Sequence, residues 1–140
     1  MSNIEHNISI VERCYAEALR GNRAGLEQLL SPDFVIHVPE DHHGVDGLLG
    51  MVQVFRSALP DMNVSVDHQF AGGDYVATRF TVRGTHEGEL FGAPPTSREV
   101  VVRGITISRC EDGRIAEEWE LVDAVGLLQQ IGALPEGAPA

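Results

Sequence analysis

The sequence predicts an α+β domain in which helices pack on one face of a curved, mainly antiparallel sheet. Three observations carry this expectation. Apolar residues recur at helical spacing before Pro60 and again only near the end of the chain. After Pro60 the period changes to two, as in half-buried strands. Asp112-Gly113, set between two β-rich runs, is a strong hairpin signal. Helices gathered early and hairpins gathered late argue α+β rather than alternating α/β. A curved sheet closed on one side by helices makes a cone, and a cone leaves a pocket.

The elements follow in order. Ile4, Ile8, Val11, Tyr15, Ala18 and Leu19 form one stripe of a first helix that Gly21-Asn22 ends. A shorter helix, 23–30, stops at Ser31-Pro32, and 34–38 reads as a short strand closed by Pro39. The polar stretch 40–44 is expected to be a loop. It leads to a helix through Leu48, Leu49, Val52, Phe55 and Leu59 that Pro60 stops. Val64, Val66, His68 and Phe70 alternate with polar residues, and Gly72-Gly73-Asp74 turns the chain into a strand over 76–83. A Gly- and Pro-rich loop, 84–97, precedes strands at 100–109 and 114–122, and a final helix spans 124–131. The expected order is α-α-β-α-β-β-β-β-α: one domain over 1–134 and a flexible polar tail over 135–140. No internal repeat or linker is visible.

Composition narrows the chemistry. The chain has 140 residues, enough for one domain with a real core. All ten basic residues are Arg. Without Lys, a Schiff-base mechanism, a pyridoxal aldimine and a Gly-Lys-Ser/Thr phosphate loop are excluded. The net charge of −11 disfavours nucleic acid and anionic membrane surfaces. Cys14 and Cys110 form no CxxC motif and are expected to be buried thiols. No charged-then-apolar leader and no apolar run approaching ~20 residues is present, so a soluble, cytoplasmic protein is expected.

Two ordered sets of motifs point further. One is Val76-Ala77-x-Arg79, Gly84-Thr85-His86-x-Gly88 and Gly92-x-Pro94-Pro95-Thr96-x-Arg98. The other is Asp112-Gly113-Arg114-Ile115, Glu117-x-Trp119-x-x-x-Asp123 and Leu128-x-Gln130-Ile131-Gly132. Together they resemble the SnoaL-like polyketide cyclases, or ester cyclases, of the nuclear transport factor 2-like superfamily, over roughly residues 8–132. The resemblance implies a cone-shaped α+β fold with an apolar cavity, a homodimer or higher homo-oligomer, and no metal or cofactor. It implies intramolecular aldol ring closure of an apolar polycarbonyl, polyketide-derived substrate. The family's general acid/base falls on Glu120, where those cyclases usually carry Asp, and a helper His falls on Thr106. A related hydroxylase or isomerase, or a ligand-binding module without chemistry, is the alternative within this fold.

The residues themselves leave choices open. A carbon between two carbonyls is acidic enough for one positioned carboxylate to take its proton, provided an apolar pocket raises the carboxyl's pKa. Alternation puts Glu118 and Glu120 on one face of the last strand and Glu117, Trp119 and Leu121 on the other. Which face is the pocket is not set by periodicity. Glu120 is therefore either the acid/base or a solvated outer carboxylate. Asp123 precedes a helix and is better read as its N-cap, with catalysis as its second reading. His37 and His86 either support catalysis near neutral pH or are partly buried and bonded to backbone. Arg79 is expected to pair with Glu117 or Glu120, ahead of meeting a substrate carboxylate or enolate. Trp119, Phe55 and Thr106 complete the expected substrate-binding set. His37, His42 and His43 fit no metal-ligand spacing.

Overall fold

The computed structural model describes residues 3–134; the expected flexible tail, 135–140, lies outside the described residues. In chain order the elements are α1 (Asn3–Arg20), α2 (Arg23–Leu29), β1 (Leu30–Val38), β2 (Glu40–His43), α3 (Gly44–Ala58), β3 (Asn63–Gly72), β4 (Tyr75–Thr85), β5 (Glu99–Glu111), β6 (Arg114–Val122) and α4 (Ala124–Gln130). The six strands form one sheet in the order β2-β1-β6-β5-β4-β3. Only β1 and β6 run parallel; the other neighbours are antiparallel. The expected α+β architecture is the observed one.

The helices form for the reasons their sequences suggest. In α1 the buried stripe is Asn7, Ile10, Val11, Cys14 and Ala18, which packs toward β3, β4 and β6. Of the expected stripe Val11 and Ala18 are buried, Ile8, Tyr15 and Leu19 are half-buried and Ile4 is exposed. The Asn22 side chain caps α2 by accepting from the Gly25 N–H, and Asp123 caps α4 by accepting from the Gly126 N–H. One apolar cluster joins α1, α2, β1 and α3, around Val11, Leu26, Phe34 and Ile36. A second joins the end of α3, β5 and α4, around Leu59, Leu90, Val100 and Leu127.

The structure corrects two expectations. The stretch expected as a polar loop, 40–44, is mostly the edge strand β2, pairing antiparallel with β1 from Val38↔Glu40 to Val35↔His43. Its polarity suits an edge, where charged side chains discourage further pairing. In β3, Val64, Val66, His68 and Phe70 do not share a face. Val66 pairs with Phe80 and His68 with Arg79, leaving Asp67 as a bulge. The extra residue reverses the parity, so Phe70 ends on the outside, 73% exposed.

The β5–β6 hairpin turns at Asp112 (φ 52°) and Gly113 (φ 76°), the double positive-φ geometry that the Asp-Gly pair predicts. Gly104 in β5 has another role. A Cβ there would lie 2.4 Å from Phe80 Cζ and 2.9 Å from the Leu121 carbonyl oxygen. Its missing side chain is what lets the Phe80 ring pack over the strand.

Candidate functional site

Strict alternation along β5 and β6 builds the site. In β5 the residues Val100, Val102, Gly104, Thr106, Ser108 and Cys110 are buried, and those between them are exposed or intermediate. β6 pairs with it so that Thr106 faces Glu120 and Ser108 faces Glu118, while Ile105 faces Leu121 and Ile107 faces Trp119. The usual polarity of a half-buried sheet is thus inverted in the middle of this hairpin, over 105–108 and 118–121. Hydroxyls and carboxyls point inward, and Leu121 (81% exposed), Ile105 and Trp119 point outward. Buried polar and exposed apolar groups are the informative departures from ordinary partitioning.

The inward groups border a cavity of about 110 Å3 between the sheet and the helices α1 and α3. Its wall is mainly apolar, including Leu19, Met51, Val52, Phe55, Phe80 and Val102. Glu118, Glu120, Tyr15 and Cys14 add the polar groups. The Tyr15 hydroxyl donates to Thr106 Oγ1 at 3.0 Å, and Thr106 Oγ1 donates to Glu120 Oε1 at 2.9 Å. Beside this relay, Ser108 Oγ donates to Glu118 Oε2 at 2.5 Å.

Burial dominates the electrostatics. It pushes the Glu118 carboxyl up to about 7, against the opposing hydrogen bond from Ser108, and the neighbouring Glu120 adds to the rise. Burial also raises Glu120, with the Thr106 hydrogen bond pulling the other way. The Tyr15 hydroxyl and the Cys14 thiol are raised by burial first and by Glu118 second, so both stay protonated at neutral pH. An apolar cavity therefore holds two carboxyls biased toward the neutral form. Each also accepts a hydroxyl hydrogen bond that favours its anion, Glu118 from Ser108 and Glu120 from Thr106.

The expected site residues divide between the two faces of the sheet. Glu120 and Phe55 line the cavity, and Thr106 touches Glu120. Trp119, His37, Arg79 and Asp123 instead border a broad outer groove of about 810 Å3, on the other side of β6. Glu120 borders both spaces because the β6 backbone separates them, but its carboxyl turns inward to Thr106.

On the outer face His37 bonds Asp41 through Nδ1 (2.5 Å) and Glu117 through Nε2 (2.8 Å), and its ring stacks on Trp119 with centroids 5.7 Å apart. Glu117 and then Asp41 raise its pKa by hydrogen bonding. The expected pairing of Arg79 with Glu117 or Glu120 is not found. Arg79 is exposed on the outer face, Glu117 is bonded by Arg109 Nε at 3.4 Å, and Glu120 faces inward. Asp123 is the cap of α4, at 2.9 Å from Gly126 N. His86 is fully buried at the foot of the 86–98 loop, outside the cavity wall, with Nδ1 3.0 Å from Thr96 Oγ1 and Nε2 without a partner.

Glu118, Ser108 and Tyr15 were missed as site residues. The signal for Glu118 was present, since alternation puts it beside Glu120. Tyr15 had no such signal, because it reaches the site from a helix 91 positions away in sequence. Among the described residues, no three His, Cys, Asp or Glu side chains gather as a metal-ligand set. No described helix is long and apolar enough to cross a membrane.

Comparison with known proteins adds to this geometry. The family model for SnoaL-like polyketide cyclases matches residues 9–131. No curated protein matches the chain. Among solved structures, the chain is similar to IdmH from Streptomyces antibioticus, a candidate polyketide cyclase. The identity is 34%, covering 90% of this chain and 98% of that one, with a TM-score of 0.79. It is also similar to AclR from Streptomyces galilaeus, a candidate hydroxylase, at 27% identity over 95% of this chain and 89% of that one, with a TM-score of 0.81. A SnoaL-like protein from Jannaschia sp. CCS1 shares the fold, with a TM-score of 0.84 at 24% identity over 96% of this chain and 98% of that one. With a nuclear transport factor 2-like fold around an apolar, carboxyl-bearing cavity, and with a family match over nearly its whole length, the chain belongs to the SnoaL-like polyketide cyclase family.

Proposed function

We propose that this protein closes a ring in a polyketide-derived polycarbonyl substrate by an intramolecular aldol reaction, with Glu120 as the general acid/base and no cofactor. One observation carries the reading: the Glu120 carboxyl borders an apolar cavity and is held there by the Thr106–Tyr15 relay. The Glu120 carboxylate takes a proton from the carbon between two carbonyls. The resulting enolate carbon bonds to a second carbonyl carbon, whose C=O π pair moves onto oxygen. The proton on Glu120 then passes to that alkoxide, which gives the hydroxyl and restores the carboxylate.

Glu120→Gln keeps size and the acceptor for Thr106 but cannot shuttle a proton. Turnover of an aromatic polyketide ester should fall by about 10²–10⁴-fold with folding intact. Full retained turnover would overturn the assignment.

The likeness to AclR favours a second reading, hydroxylation in the same cavity. Oxygen consumption stoichiometric with substrate would replace cyclisation by that reaction.

Homodimerisation belongs to the same proposal. The exposed Leu121, Ile105, Ile107, Trp119 and Phe70 on the outer face of the sheet support it, because monomers rarely leave so many large apolar side chains together in water. Sedimentation at micromolar concentration should show a dimer, and Leu121→Asp should shift it to monomer. A wild-type protein that sediments only as monomer counts against it. A cytoplasmic location is consistent with two free, buried thiols and is checked by cell fractionation.

A further inference from the structure

The cavity holds a second carboxyl to which the proposed reaction assigns no part. Glu118 stands two residues before Glu120 in β6, so both side chains emerge on the inner face. Each is met from β5 by a hydroxyl directly opposite, Ser108 for Glu118 and Thr106 for Glu120. Both line the same cavity.

Among the described residues, only Oε2 of Glu118 is engaged, by Ser108. Among the described residues, the sole fully enclosed side-chain polar atom lacking a partner is His86 Nε2. The free oxygen of Glu118 therefore has an open side, and the open space beside Glu118 is the cavity. The titratable groups around it are Cys14 and Tyr15 from α1, Cys110 from β5 and Glu120 on its own strand. All are acids, and among the described residues no Arg or His lines the cavity. Two carboxyls sharing an apolar space without a cation cannot both ionise cheaply. Glu118 is the more deeply buried of the two and keeps its proton as pH rises toward neutrality.

We propose that Glu118 is a second catalytic carboxyl: a neutral acid whose free oxygen donates a hydrogen bond to the substrate carbonyl that becomes the enolate, while Glu120 removes the proton from carbon. The inference rests on the reading of Glu120 as the base. The Glu118 proton is shared with the oxygen and not transferred, so the proton balance of the ring closure is unchanged. Charge developing on that oxygen would meet a positioned donor in a water-poor space, where such donors act most strongly. Two carboxyls in different environments then divide the labour of acid and base.

The test uses the full chain and ethyl benzoylacetate, an aromatic β-keto ester, with deuterium uptake at its methylene carbon as the measure of enolisation. Glu118→Gln, which keeps a weaker N–H donor, should slow enzyme-catalysed uptake by roughly tenfold, and Glu118→Ala by about 10²–10³-fold. The wild-type rate should fall as Glu118 ionises near neutral pH, and Glu118→Gln should lose that fall; a merely structural role would leave it in place. A second arm needs no turnover. Infrared spectroscopy at about pH 6 should show a buried carboxylic-acid band in wild type and in Glu120→Gln that is absent from Glu118→Gln. A band that disappears in Glu120→Gln and persists in Glu118→Gln overturns the assignment. So does unchanged uptake with an unchanged pH profile in Glu118→Gln. If Glu120→Gln exchanges deuterium as fast as wild type, the reading of Glu120 fails instead.

Discussion

The Ser108 hydroxyl, directly across the β5–β6 ladder from Glu118, donates to its carboxyl over 2.5 Å and opposes the effect of burial. A hydrogen bond to the ionised form favours that form, so removing it moves the titration of Glu118 upward. Ser108→Ala should therefore raise the Glu118 pKa, as read by carbon-13 NMR of labelled glutamate. Denaturant unfolding should show a loss of about 1–3 kcal/mol for the unsatisfied carboxyl oxygen.

Glu118 also makes stability depend on pH. Its folded pKa, raised to about 7 from the model-compound 4.5, means that the folded state holds a proton the unfolded chain has already released. Stability from this group is complete below about 4.5 and is lost as pH rises through about 7. Glu118→Gln abolishes that dependence. Its stability relative to wild type should increase by something on the order of 3 kcal/mol between acidic pH and about pH 8. Thermal melts of both proteins across that range provide the check, and parallel curves would refute it.

Thr106 pulls Glu120 down while burial pushes it up. Thr106→Val removes the donor at nearly constant volume, so the Glu120 pKa should rise and the acid limb of kcat/KM should move to higher pH. At pH values below that limb, activity should drop by up to about tenfold per unit of displacement. Thr106→Ser should restore the profile, since it keeps the hydroxyl.

Asp123 provides a contrast, because its carboxyl caps α4 outside the cavity. Asp123→Ala should cost about 1 kcal/mol in urea unfolding. Turnover per folded molecule should stay at the wild-type level. A loss of turnover well beyond the loss of folded protein would return Asp123 to the catalytic set.

Much of the fold was legible in the sequence. The span of α1, the Asp112-Gly113 hairpin, the cap at Asp123, and the alternation along β5 and β6 depend on residues close in sequence, where spacing and local hydrogen bonding decide structure. The β3 bulge was not legible, because one unpaired residue, Asp67, reverses parity without leaving a compositional trace. The edge strand β2 was hidden for the opposite reason: its polar residues look like a loop until β1 is there to pair with them.

The site divides along the same line. Sequence alone was enough to place Glu118 and Glu120 on one face and Trp119 and Leu121 on the other, because a strand's side chains alternate whatever surrounds it. It also limited a proton-transfer base to carboxylate or imidazole, since there is no Lys and the two Cys are scattered. Which face is inside depended on packing from distant parts of the chain. Helix α1 lies over the face bearing the carboxyls, and Tyr15 reaches across it to Thr106. That choice put His37, Arg79 and Trp119 on the outer surface and made a buried acid of Glu118. Face parity is a local property of the backbone. Burial is set by what packs on that face from elsewhere in the chain.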